Sequence, residues 1–277
     1  MLLFMAETSA PTILHRRAAR LRKVTGSSRF KSLSEISQSH LTPYAIAVDA
    51  LIKPIEISIK DPAVTFTNLY TSFVYAIYYS FFDAFPLVYP PLYGFNLGQL
   101  GLVFVCIIVA CAIGAVIYVA NLYFRLNPKL RANKALELAY EYRLRPALFA
   151  VFCLPIGLFI FGWTANSKIP WIVSVIGIVI FSVGNFILLQ CLSIYIPRSY
   201  PEYAASLFAA NDFCRSALAA GAIHFARPLF QNLGIGRGVS VLAGISVLGI
   251  PGMYILYFYG GKMRSKSHFA VSAGEKG

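Results

Sequence analysis

The sequence predicts an all-α membrane protein with about six transmembrane helices, and three observations carry that prediction. Hydrophobic residues make up 58% of the 277-residue chain, charged residues only 13%, and mean hydropathy is +0.67. The apolar residues collect into six long runs, and the basic residues crowd between them. A soluble fold of this length could not hide so much apolar surface.

A hydrocarbon core about 30 Å thick needs about 20 helical residues, because backbone groups in lipid must bond within their own segment. Six runs meet that length: residues 64–89, 98–124, 144–164, 170–194, 203–225 and 238–259. The fifth is the weakest, since Asn211, Asp212 and Arg215 interrupt it near its middle. Pro155-Ile156-Gly157 and Gly249-Ile250-Pro251-Gly252 are breaks inside runs, readable either as kinks or as close packing of small residues. The organisation expected is a basic leader with an interfacial segment over 1–61, a six-helix bundle over 62–260 and a basic tail over 261–277.

Orientation follows from the distribution of Lys and Arg, which accumulate in cytoplasmic loops. With 24 such residues against 11 acidic ones, the chain carries +13. Of the 24, nine lie at or before Lys60, six between Arg125 and Arg145, one at Arg198 and four after Gly260, which puts twenty on one side. Lys168, Arg227 and Arg237 fall on the other, and Arg215 lies within a run. Both termini are thus expected in the cytoplasm. Lipid headgroups account for this charge pattern better than nucleic acid does. Tyr89, Tyr93, Trp163, Trp171, Tyr254 and Tyr257 stand near run ends, where amphipathic rings favour the interface.

In the leader, Pro11 follows a Ser9 cap, and Ile13, Leu14, Ala18 and Leu21 recur at helical spacing opposite Arg16, Arg17, Arg20 and Lys23. Gly26 ends that helix. It reads either as an amphipathic helix on an anionic leaflet or as a solvated basic linker. Residues 27–39 are Ser-rich and read as flexible, and 44–59 read as a short interfacial segment interrupted by Pro54. The opening Met1–Met5 stretch is too short for a secretory signal.

Polar residues inside the apolar runs are the functional candidates. Asn68, Ser72, Tyr75, Tyr79 and Asp83 recur at intervals of four, three, four and four, which places them on one helical face. Such a stripe either offers aromatic faces and one carboxylate to a cationic ligand or packs against neighbouring helices. A charge at helix centre costs about 2.5–3.5 kcal/mol in a bilayer, so a retained Asp83 is either a cation or proton site or a helix-end residue with access to water. Asp212 and Arg215, three residues apart, can neutralise each other on one turn, beside the amide of Asn211. They serve either as a packing ion pair or as a gate. Asn185 and Gln190 in the fourth run raise the same choice between cavity lining and interhelical hydrogen bonding.

Other chemistries find no support in the spacing. The cysteines, Cys106, Cys111, Cys153, Cys191 and Cys214, all fall within apolar runs and read as small core residues. Of His15, His40, His224 and His268, only His224 is near a run, and no pair has metal-ligand spacing, which argues against an intramembrane enzyme. Gly234, Gly236 and Gly238 lack a preceding strand and the dinucleotide spacing. Neither a cofactor nor a metal is expected.

Three stretches carry a resemblance to a known family. Glu7-Thr8-Ser9-Ala10-Pro11-Thr12-Ile13-Leu14 with the Arg-rich run to Lys23 is one. Tyr142-Arg143-Leu144-Arg145-Pro146-Ala147, continuing through Leu154-Pro155-Ile156-Gly157-Leu158-Phe159 to Gly162-Trp163, is the second. Tyr203-Ala204-Ala205-Ser206 with Ala209-Ala210-Asn211 and Arg215-Ser216, followed by Pro228-Leu229-Phe230 and Leu233-Gly234, is the third. In order and spacing they resemble the segment leaving the sixth helix, the ninth helix and the eleventh helix of fungal drug:proton antiporters and polyamine transporters of the major facilitator superfamily. The resemblance implies the C-terminal six-helix half of such a transporter, with a substrate cavity between two halves at mid-membrane. It also implies a plasma-membrane efflux protein for small amphipathic or cationic compounds, with proton exchange suggested by the family alone. On this reading the first half is missing, and a lone half would need a second copy or a partner half. The alternative is a transport-incompetent half-protein or truncated remnant that acts only through assembly with another chain.

Overall fold

Among the described residues of the computed structural model every regular element is a helix, which is what a backbone without water to bond must form. The structure describes residues 10–27, 29–32, 35–36, 52, 55–128, 140–199 and 204–265. By contact the chain forms two units, Met1–Lys53 and Pro54–Gly277.

In the first unit, helix α1 spans Ala10–Thr25 and ends where expected: Gly26 takes a left-handed φ of 65° and returns its N–H to the Arg22 carbonyl at 3.0 Å. The Ser9 cap lies outside the described residues. The chain then folds back on the helix. Arg22 grips both carboxylate oxygens of Glu35 at 3.1 and 2.8 Å and also donates to the Phe30 carbonyl at 3.1 Å. Glu35 accepts from the Ser32 N–H at 2.8 Å, while the Ser32 hydroxyl accepts from the Glu35 N–H at 3.2 Å. This reciprocal pair is a capping box, so a stretch read as flexible holds a built turn.

In the second unit the first expected span divides into α2, Pro62–Phe82, and α3, Phe85–Tyr93. Asp61 caps α2 by accepting from Ala63 and Val64 N–H at 2.9 and 3.2 Å, with Pro62 supplying the fixed φ of a first turn. Pro86 cannot donate a backbone bond, so the helix breaks at Asp83 and Ala84 and restarts. Helix α4, Leu97–Asn121, opens with an Asn96–Gln99 capping box and runs on as a π-helix over Leu122–Leu126. A 3₁₀ turn, Tyr140–Leu144, leads into α5, Arg145–Thr164. Helices α6, Trp171–Ser199, and α7, Ala204–Leu233, are both longer than their expected spans. The last span divides at Leu248 into α8, Ile235–Val247, and α9, Gly249–Ser265, because Pro251 has no N–H to carry the bonding ladder across.

Among the described residues, four segments are long and apolar enough to cross a membrane by length and composition: Leu97–Leu126, Glu141–Thr164, Trp171–Tyr195 and Ile235–Met263. The two remaining expected spans, α2 with α3 and α7, are helical as well. They hold the hydroxyls, amides and charges that lower their hydropathy.

Packing follows the small residues. Helices α5 and α6 form the most extensive contact of the bundle, and there Gly157 and Gly177 face one another. A Cβ on Gly157 would sit 2.6 Å from the Gly177 carbonyl oxygen, and one on Gly177 would sit 2.8 Å from the Gly157 carbonyl oxygen. The Pro155–Gly157 break therefore marks close helix approach, and α5 continues through it. Phe81, Phe85, Phe161 and Phe181 fill the centre with edge-to-face pairs at 4.8 to 5.2 Å. Tyr89, expected at the interface, is instead fully buried and pairs its hydroxyl with that of Ser174 at 2.9 Å. The cysteines are all free, as expected, but Cys214 is exposed on α7 and is no core residue.

Candidate functional site: a polar seam between α2 and α7

Helix α2 packs against α7 along much of its length, and the contact contains the polar residues that the bilayer should disfavour. Asn211 donates its side-chain amide to the Asn68 carbonyl oxygen at 2.8 Å and to the Thr71 hydroxyl at 2.7 Å. All three are buried. Thr71 passes its own proton to the Thr67 carbonyl one turn back, at 2.8 Å. Each donor of the cluster thus finds an oxygen, except the Asn68 amide, which has no partner among the described residues.

The seam continues as an aromatic and charged surface. Tyr75 and Tyr79 bring their hydroxyls to 3.2 Å and their rings to 4.8 Å. The Arg215 guanidinium reaches across from α7 to lie 4.8 Å from the Tyr75 ring centre, and its Nε donates to Asp212 at 2.7 Å. A cation over a ring face is attracted by the ring quadrupole. The carboxylate of Asp212, 61% exposed, is the open end of this chain of contacts. Asn211, Asp212 and Arg215, with Ser193 and Phe208, line a pocket of about 270 Å³.

Of the expected site residues, Asn68 and Asn211 meet directly, as do Tyr75 with Tyr79 and Arg215 with Asp212. Ser72 is buried with its hydroxyl unpaired among the described residues. Asp83 caps the C-terminus of α2 at the helix break, half-buried, with Arg227 of α7 within electrostatic reach. Asn185 is buried on α6 with its carbonyl oxygen unpaired among the described residues, one turn beyond Phe181, which stacks on Tyr78 of α2. Gln190 is exposed and joins none of these groups.

Sequence reading missed Thr71 and Ser182, whose buried hydroxyl on α6 is also unpaired among the described residues. The signal for Thr71 was present: it lies three residues after Asn68 and hence beside it on the helix. Together Asn68, Ser72, Ser182 and Asn185 leave buried donor and acceptor capacity on α2 and α6. Buried polar groups are ordinarily satisfied, so such a set suits water or a polar ligand. Among the described residues no group of three or more His, Cys, Asp or Glu could hold a metal ion.

Comparison with known proteins places this architecture. No protein-family model and no solved structure matches the chain significantly. The chain is 42% identical over 269 residues to the MFS-type transporter pyvG of Aspergillus violaceofuscus, covering 97% of this chain and 49% of that protein. It is 38% identical to the cycloheximide resistance protein of Candida maltosa, over 96% of this chain and 49% of that one. It is 33% identical to the fluconazole resistance protein 1 of Saccharomyces cerevisiae, over 96% and 48%. The chain spans about half the length of these curated relatives, which are transporters by name or named for drug resistance. Apolar helices and membrane-transporter relatives together make it an integral membrane protein. By sequence, the chain is similar to one half of fungal MFS-type transporters and drug-resistance proteins.

Proposed function

We propose that this chain supplies one wall of an efflux pathway for small amphipathic or cationic compounds, using the α2–α7 seam as its ligand-facing surface. The observation that carries the proposal is the run from buried Asn68, Thr71 and Asn211 to the half-open Tyr75, Tyr79, Arg215 and Asp212. Tyr rings offer flat apolar faces to an amphipathic ligand, and Asp212 offers a charge to a cation. Asp83 at the end of α2 and the buried Asn185 of α6 are further candidate contacts, and proton exchange would fall to the carboxylates. In this reading the helices from 62 to 260 form the membrane bundle, between a basic leader over 1–61 and a basic tail over 261–277. The protein sits in the plasma membrane, and the twenty-to-three partition of basic residues directs both termini to the cytoplasm.

A second reading is favoured by the span of about half of each relative. One half provides one side of a cavity between halves, so the chain would work only with a second copy or a complementary half. The two readings separate in an efflux-deficient yeast expressing this chain alone or together with the complementary half of pyvG. Growth on a panel of amphipathic cations is the readout. Resistance from the chain alone supports the first reading, and resistance only on co-expression supports the second. If resistance is unchanged in Tyr75→Ala and Asp212→Asn variants of normal abundance, the seam is not the pathway.

A further inference from the structure

The π-helix at the end of α4, Leu122–Leu126, has no role in the seam. Such segments recur at functional sites because the wider turn re-aims its side chains. Arg125 lies within it and lines a pocket of about 440 Å³. The other principal walls are Tyr142 and Arg145 at the start of α5, Phe149 one turn further, and Tyr257 on α9.

Arg145 is held in place by tyrosines. Its Nε donates to the Tyr257 hydroxyl at 3.2 Å, a terminal nitrogen donates to the Tyr142 hydroxyl at 2.9 Å, and the guanidinium lies 4.5 Å from the Tyr142 ring centre. These contacts orient the charge without neutralising it. Neither Arg125 nor Arg145 has a carboxylate partner among the described residues, and both are exposed. Phe149, 79% exposed, adds an apolar wall to the same pocket.

Two guanidinium groups, that of Arg145 oriented by its tyrosines, select a phosphate oxyanion, for which their planar donors are well matched. They repel a cation. The pocket sits where apolar helices end, so a ligand bound there can leave its headgroup on the arginines and its chains along Phe149. A free phosphate would use the arginines and leave the ring idle. We propose that this pocket binds the headgroup of an anionic phospholipid.

The test uses the full chain in nanodiscs of phosphatidylcholine containing a minor fraction of phosphatidylinositol, with bound lipid counted by native mass spectrometry. Wild type should retain phosphatidylinositol over phosphatidylcholine. The Arg125→Gln/Arg145→Gln double variant should retain on the order of tenfold less, from loss of two charge-assisted contacts. Phe149→Ala should also lower lipid retention. Helicity and thermal transition in detergent establish that the double variant folds. If it does not, Arg125→Lys and Arg145→Lys keep the charge while losing the fork geometry, and each should reduce retention. Undiminished retention in the arginine variants that fold would overturn the proposal. So would displacement of the lipid by inorganic phosphate that binds wild type and Phe149→Ala equally, since that describes a free-phosphate site.

Discussion

Asn211 of α7 and Asn68 of α2 are joined side chain to side chain at 2.8 Å, 143 residues apart in sequence. Their bond, with that to Thr71, ties together two helices that also carry the exposed Tyr75–Arg215–Asp212 surface. Stability and the proposed ligand-facing surface therefore share one seam.

Removing the tie should loosen the α2–α7 pair. Asn211→Ala leaves buried oxygens on Asn68 and Thr71 without a donor and should lower stability by about 1–2 kcal/mol. In a double-mutant cycle with Asn68→Ala, thermal unfolding in detergent should give a coupling of roughly 0.6–1.7 kcal/mol. Zero coupling would show that the two amides do not meet.

The Asp212–Arg215 pair should behave differently. A wholly buried pair would strand a charge when one partner is removed, but Asp212 is 61% exposed and Arg215 30%. Asp212→Asn and Arg215→Gln should each change stability in detergent by no more than about 1 kcal/mol. Their effect should appear in drug resistance measured with a complementary half. A collapse of folded yield in either variant would place the pair in the packing instead.

Close approach at Gly157 makes a sharper test of the bundle. With a Cβ only 2.6 Å from the Gly177 carbonyl oxygen and the Phe181 nitrogen, Gly157→Ala must push α5 and α6 apart. The cost should reach about 1–3 kcal/mol, seen as a lower unfolding temperature. Gly221→Ala, where a Cβ meets nothing within 4 Å, should be neutral or stabilising by comparison.

The Arg22–Glu35 clamp should respond to acid. The hydrogen bond from Arg22, followed by that from the Ser32 amide, lowers the Glu35 carboxyl from its ordinary 4.5 to about 2. A depressed carboxylate stabilises the folded turn fully above its unfolded value and loses that contribution as pH falls through the folded one. The turn should thus hold at neutral pH and release progressively between about pH 4.5 and 2, followed by amide exchange at Ser32. Glu35→Gln should show fast exchange at every pH.

What the sequence determined by itself was the class of solvent and the helices that follow from it. Lipid leaves the backbone no partner except its own helix, so run length and composition sufficed to locate six helical segments and the break near Pro251, while the division of the first run before Pro86 came only from the structure. Local spacing also placed Asp212 beside Arg215 and Tyr75 beside Tyr79, because helical neighbours follow from counting. Only the tertiary structure decided which faces meet. Hydropathy cannot distinguish a polar group turned toward another helix from one turned outward, so Thr71 was missed, and Tyr89 was assigned to the interface instead of the core. The Asn68–Asn211 bond and the Gly157–Gly177 contact depend on how two distant helices rotate about their axes. That rotation is set by the side-chain volumes of the whole bundle, which no single segment contains.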